Sequence, residues 1–188
     1  MASHLSAFII RDLIDFETEI KGKRILEVGS ASWTWESIKE HFMGCKEFIS
    51  VDLQQRPETD YICDAENLID FFGLESFEFI VSLFMIEHVK DWKKVISNFK
   101  HVCAPGGTIL IASCTQQFPF HDSYDAWRFE DEDIQEIFSD CEIEFIFMSK
   151  ALKTPGFLIF AKIKKPIHFI ENCLDYYTLF NINSSEYI

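Results

Sequence analysis

A chain of 188 residues that is 48% hydrophobic and carries 20 phenylalanines has the apolar mass for one domain with a large core, which excludes a disordered chain. Its 31 acidic residues outweigh 17 basic ones for a formal net charge of -14, and residues 122–144 hold ten acids against a single base, Arg128. A nucleic-acid backbone would be repelled by that field, so no nucleic-acid partner is expected.

In chain order, Leu5, Phe8, Ile9, Leu13 and Phe16 recur at helical spacing and predict a helix over 4–18. "RILEV" (24–28) predicts a first strand, followed by a helix at about 33–43. "EFISVD" (47–52) is a second strand and "DYIC" a short third, ending at Asp64, after which "ENLIDFF" reads as a short helix. "FEFIVSL" (77–83) is aromatic and β-branched without strict alternation, as strands buried on both faces tend to be. A helix at about 90–103 places Trp92, Val95, Ile96 and Phe99 on one side and stops before Pro105-Gly106-Gly107. "TILIAS" is a fifth strand; an acidic helix (130–139) and two strands (143–149 and 157–162) complete the core.

Strands alternating with helices imply a parallel sheet covered on both faces by right-handed crossovers. The last two strands have no helix between them and should pair antiparallel at one edge. The predicted fold is α/β: a Rossmann-like three-layer sandwich, its seven-stranded sheet mostly parallel with an antiparallel edge hairpin. One domain over 1–188 is expected, with a core at 24–163, a helix at 4–18 before it and a tail at 166–188 after it. That tail is apolar and aromatic enough to pack on the domain, as a helix over the sheet face, or on a second subunit as a homodimer.

No apolar run reaches the ~18 residues of a membrane span. The start lacks a basic segment followed by a cleavage site, so no membrane association and a cytoplasmic location are expected. Six cysteines are scattered without a C-x-x-C pair, which predicts reduced core thiols and no metal site. Cys114 lacks an evident activating partner and reads as a packing residue.

In open α/β sheets ligands bind outside the carboxyl ends of the strands, where strand order reverses. Three acids fall at such ends: Glu27, then Asp52 closing the second strand, then Asp64 after the third. Asp52 stands where a carboxylate can accept both hydroxyls of an adenosine ribose, and Asp64 where one can accept an adenine amino group. Asp52 could instead cap the turn that follows it, but three acids at three successive strand ends are harder to dismiss as caps. "EVGSAS" keeps only the first glycine of a dinucleotide fingerprint, which argues against a nicotinamide cofactor. Tyr124 is followed four places on by Arg128 and not by lysine, and the G-x-S-x-G elbow of a hydrolase is absent.

"ILEVGSASW", "FISVDLQ", "CDAENL" and "FEFIVSLFMIEHVKDWKKVISNFKHVCAPGGTILIAS" together resemble the class I S-adenosylmethionine-dependent methyltransferases over residues 24–163. "HDSYDAWRF" (121–129) is similar to a Trp-Arg-Phe signature of small methyltransferase-domain proteins. The resemblance implies S-adenosylmethionine as cofactor, with Glu27, Gly29 and Ser30 facing its methionine part. It implies Asp52 on the ribose with Leu53 beside the adenine, Asp64 and the Ala65 amide on the adenine edge, and Ser82 and Leu83 over the sulfonium end. The family usually has glycine at one or both alternate positions after Gly29. Here Ala31 and Ser32 put Cβ atoms where backbone must approach the ligand closely.

His88, His121 and Tyr124 are the candidates for catalysis, a histidine near neutral pKa suiting a general base for a hydroxyl or amine acceptor. His88 can also be a helix-start residue packed at the sheet edge. Residues 116–129 form a loop longer than an ordinary β–α connection and read as a substrate-covering segment. In it Trp127 and Arg128 serve as anchors, Arg128 being paired with an acid. The expected activity is methyl transfer to a small molecule. The alternative is a non-catalytic S-adenosylmethionine-binding or scaffold protein of the same fold.

Overall fold

The structure is a computed structural model that describes residues 14–30, 38–119, 125–148 and 158–181. Its strands are β1 (Arg24–Val28), β2 (Glu47–Asp52), β3 (Tyr61–Ile62), β4 (Phe77–Leu83), β5 (Cys103–Cys114), β6 (Trp127–Arg128), β7 (Glu142–Met148), β8 (Leu158–Lys164) and β9 (Phe180–Asn181). Its α-helices are α1 (Leu68–Phe72), α2 (Trp92–Val102) and α3 (Asp131–Ile137). Short 3-10 turns occupy Ile38–Phe42, Ala65–Asn67 and Ile86–His88, and a π-type turn Phe16–Ile20.

Seven strands form one sheet in the order β3-β2-β1-β4-β5-β8-β7. The first five run parallel, and β8 lies antiparallel between β5 and β7. Strand order reverses between β1 and β4, so the crevice for a ligand opens there. One sheet face buries Leu26, Val28, Ile80, Ile109 and Ile111 against Val95, Ile96 and Phe99 of α2 and Ile134 and Ile137 of α3. The other buries Ile25, Phe79, Val81 and Leu110 against Ile20, Phe42 and Phe48. Strands buried on both faces carry the near-continuous apolar runs read in the sequence.

The helices start where capping chemistry dictates. Asp91 accepts the Lys94 amide at 3.1 Å to open α2, and a Glu130–Asp133 capping box opens α3. The acids Asp131, Glu132 and Asp133 fill the first turn of α3, where the helix dipole favours them.

Four expectations are revised. Strand β5 begins at Cys103, so Pro105-Gly106-Gly107 lies within it as an irregularity; its partner register jumps from Phe77↔Cys103 to Phe79↔Thr108. The tail has no helix among its described residues: it runs between α2 and α3 and ends as β9. There it pairs antiparallel with β6 in a second, two-stranded sheet that periodicity did not reveal, each strand being two residues long. Of the helix at 33–43, the described part is the 3-10 turn 38–42, and of that at 4–18 only the turn from Phe16 onward is helical; residues 4–13 and 33–37 lie outside the described residues.

Candidate active site

The loop after β1 is short and backbone-held: the amides of Gly29 and Ser30 both donate to the Val51 carbonyl, at 2.9 and 3.2 Å. Gly29 has φ of +88°, and a Cβ built on it would lie 2.5 Å from Met85 Cβ and Cγ. A side chain at 29 would therefore be strained and displaced at once. Met85 is brought there by Phe84, a bulky residue with φ of +57° whose amide donates to Ala112 O at 2.8 Å. Backbone in this conformation is costly for such a residue and tends to cluster at functional sites. The ends of β1 and β4 thus meet at the switch point. Ser30 is fastened from the side, its Oγ 2.9 Å from Thr59 Oγ1.

Glu27 is 9% exposed, and its carboxylate has no hydrogen-bond donor among the described residues. Burial is the main force pushing its pKa up to about 8; Asp52, Asp60 and Glu58 add repulsion, and Lys39 opposes the rise. A buried carboxyl without a donor is costly unless something supplies a partner. Ser82 Oγ, at the carboxyl end of β4, is buried with no hydrogen-bond partner among the described residues, and half-buried Leu83 follows it.

The other two acids of the series do cap the turns behind them. Asp52 Oδ1 accepts the Gln54 amide at 2.8 Å, and Asp64 Oδ1 accepts the Glu66 amide at 2.9 Å. Capping and ligand binding do not exclude each other, since a carboxylate has two oxygens. Leu53 is two-thirds exposed beside Asp52, and Ala65 is buried beside Asp64.

Across the switch point, His88 ends the turn that follows β4, half-buried, its amide donating to Met85 O at 2.9 Å. Next to it Glu87 is fully buried: Ser113 Oγ donates to it at 2.9 Å and Cys114 Sγ at 3.4 Å. Burial raises the Glu87 pKa, while these donors and His88 pull it back. Cys114 is the packing residue expected, its thiol driven well above the ordinary range by burial and by Glu87. Burial likewise pushes Cys103 and Cys141 up to about 12, so neither is a ready nucleophile.

Arg128 is fully buried and bidentate to Asp125: Nη1 pairs with Oδ1, and Nη2 donates to Oδ2 at 2.7 Å. It also donates to Trp127 O at 2.8 Å and Phe118 O at 3.5 Å, so the single base among the acids is an anchor. Trp127 Nε1 donates to Val89 O at 2.7 Å. His121 and Tyr124, with Ala31, Ser32, Trp33 and Trp35, lie outside the described residues. Sequence reasoning missed Met85, Phe84, Glu87, Ser113 and Asp125. The one available signal was Asp125, three places before the lone base.

The sheet order β3-β2-β1-β4-β5, with Glu27, Asp52 and Asp64 at three successive strand ends and Gly29 at the switch point, is a Rossmann-like arrangement. Residues 1–154 match the methyltransferase domain family. The chain belongs to that family and is a class I S-adenosylmethionine-dependent methyltransferase. No curated protein matches the chain. Among solved structures it is similar to N-methyltransferase NodS from Bradyrhizobium japonicum WM9, with a TM-score of 0.65 and 15% identity over 87% of this chain and 96% of that one. A second structure of NodS, in complex with S-adenosylhomocysteine, gives 0.59 and 13% over 87% and 86%. A S-adenosylmethionine-dependent methyltransferase from Methanosarcina mazei gives 0.63 and 14% over 85% and 98%.

Proposed function

We propose that the protein methylates a small molecule, binding its donor along the carboxyl ends of β1 to β4 and its acceptor on the β4–β5 side. The observation that carries this reading is Glu27: a buried carboxylate, lacking any donor among the described residues, at the mouth of the switch point. An ammonium group is the partner it lacks, and the methionine portion of the donor has one.

The remaining donor set fits as well. Asp52 accepts the ribose hydroxyls, Leu53 covers one adenine face, and Asp64 with the Ala65 amide reads the adenine edge. Gly29 permits close approach; the Gly29 and Ser30 amides are already held by Val51 O, so they shape the loop. Ser82 Oγ and Leu83 border the sulfonium end. When bound, the donor supplies an electrophilic methyl group. What the chain supplies is orientation, since alignment of nucleophile and methyl group can provide much of the rate. His88, in the turn after β4, is the residue we assign to take a proton from a hydroxyl or amine.

Calorimetry with S-adenosylmethionine, S-adenosylhomocysteine and NAD tests the site. Micromolar binding of the two sulfur ligands and none of NAD is expected. Millimolar or absent binding of both would overturn it. A panel of small hydroxyl and amine acceptors with isotopically labelled donor then tests the acceptor class.

A further inference from the structure

The tail leaves β8 at the amino-end edge of the parallel strands and finishes at the opposite edge, beside the candidate site. It is fastened at every level on the way. Lys165, buried at the start, donates from Nζ to Cys103 O at 2.7 Å. Asn172 is caught next: its amide donates to Asp140 Oδ2 at 3.0 Å, and its Nδ2 to Glu136 O and Ser139 Oγ at 3.0 and 2.9 Å. Fully buried Lys100 of α2 completes that junction, donating to Asn172 Oδ1, Asp140 Oδ2 and Ile137 O at 2.9, 2.7 and 2.7 Å. All three ammonium protons are thereby used.

Higher up, Tyr177 donates to Asp133 Oδ1 at 2.6 Å and meets Trp92 edge-to-face with ring centroids 6.4 Å apart. Burial and that carboxylate together raise the Tyr177 pKa well above the phenolic range. Leu179 enters the core, and Phe180–Asn181 then pair with Trp127–Arg128. Strand β6 in turn is tied to the site: the Ala126 amide donates to Glu87 O, the Phe129 amide to Cys114 O, and Trp127 Nε1 to Val89 O.

We propose that segment 166–181 is a specificity-determining element of the acceptor site, fixing β6 and so the position of Trp127 beside the His88 turn. This rests on the methyltransferase reading above. Two observations separate it from a merely structural tail. It ends on the β4–β5 side, away from Asp52 and Asp64, so it bears on the acceptor and not on the nucleoside. It also lies beyond residue 154, where the family match stops, whereas Glu27 to Leu83 all fall inside.

The test uses the full chain with both amides of β9 removed, Phe180→Pro/Asn181→Pro, beside Phe180→Ala/Asn181→Ala, which keeps them. The proline pair should lose amide-exchange protection at 126–129 and raise the KM of the acceptor chosen from the panel by about tenfold, with kcat and S-adenosylhomocysteine affinity within about threefold. The alanine pair should keep the exchange pattern and most of kcat/KM. Tyr177→Phe, which loosens the tail without disturbing its backbone, should give a smaller KM rise in the same direction. An unchanged KM in the proline pair overturns the proposal, as does a loss of acceptor and cofactor binding in step with melting temperature. If no acceptor is methylated, the small-molecule reading fails and the exchange data on the S-adenosylhomocysteine complex decide: persisting protection at 126–129 overturns the proposal, and its loss supports it.

Discussion

Two carboxylates flank the switch point, Glu27 on the β1–β3 side and Glu87 on the β4–β5 side, and both are buried with pKa values raised by desolvation. Their surroundings differ. Glu87 collects a hydroxyl and a thiol donor from β5, whereas Glu27 faces three further acids and no donor among the described residues. Burial alone therefore does not mark a ligand group, because a polar group satisfied by its own chain belongs to the framework. Glu27, at the carboxyl end of β1 with no such donor among the described residues, is the one left open to a ligand group on the proposed reading.

The framework side should give the largest effects. Arg128→Ala leaves Asp125 buried and without its bidentate partner, and removing one member of such a pair costs about 3–5 kcal/mol. Thermal or denaturant unfolding should show the loss, and a change under 1 kcal/mol on the order-of-magnitude scale for surface pairs would mean the site is wetter than it looks.

On the binding side the loss should appear in affinity instead. On the proposed donor site, Asp52→Ala would remove two charge-assisted hydrogen bonds to the ribose and should weaken S-adenosylhomocysteine binding by about 2–4 kcal/mol. The fold loses the Gln54 turn contact, at an exposed strand end, so the melting temperature should move less than the affinity. Unchanged affinity would place the ribose elsewhere.

The sequence carried one of these two sides better than the other. The strand-end acids were readable because a parallel strand ends at the same edge each time, so Glu27, Asp52 and Asp64 fall into line once the strands are assigned. That Asp52 also caps a turn was foreseen as an alternative to binding; the geometry makes the two roles compatible. The framework side depends on contacts distant in sequence. Ser113 and Cys114 reach Glu87 across 26 and 27 positions, and β6 meets β9 with no periodicity to announce two-residue strands. The tail was misread as a helix because its aromatics suit a covering element of either kind. Its hydrogen bonds instead go to side chains and carbonyls of α2 and α3.

A sharper probe of Glu27 is its proton. With a pKa near 8 the unliganded group is mostly neutral at pH 7, whereas an ammonium partner selects the ionised form. Ligand binding should then release a proton, seen as a buffer-dependent calorimetric enthalpy. Affinity should rise by up to about tenfold per pH unit as pH approaches 8, then level off. The same shift makes the unliganded fold lose stability as pH rises from about 4.5 to about 8, because the folded state holds the proton more tightly than the unfolded one. Glu27→Gln should abolish the proton release and flatten both profiles; proton release that survives the substitution assigns the titration to another group.

The smallest effect is expected for Glu87→Gln. Its raised pKa favours the neutral acid, and an amide matches a neutral carboxyl in shape while still accepting from one neighbour. Its new N–H can donate to Ser113 Oγ, which is able to accept, while the amide oxygen keeps the Cys114 thiol. Unfolding free energy should therefore stay within about 1 kcal/mol of the parent near neutral pH, with S-adenosylhomocysteine affinity within about threefold. The pH dependence gives the sign. A raised acid pKa contributes stability that is complete below the ordinary carboxylate range and is lost as pH rises through the folded value, so the parent should weaken relative to the glutamine variant in alkali. A variant that unfolds as badly as Arg128→Ala would show that Glu87 is held ionised, and that its pairing with this framework is as costly to break as the Asp125–Arg128 pair.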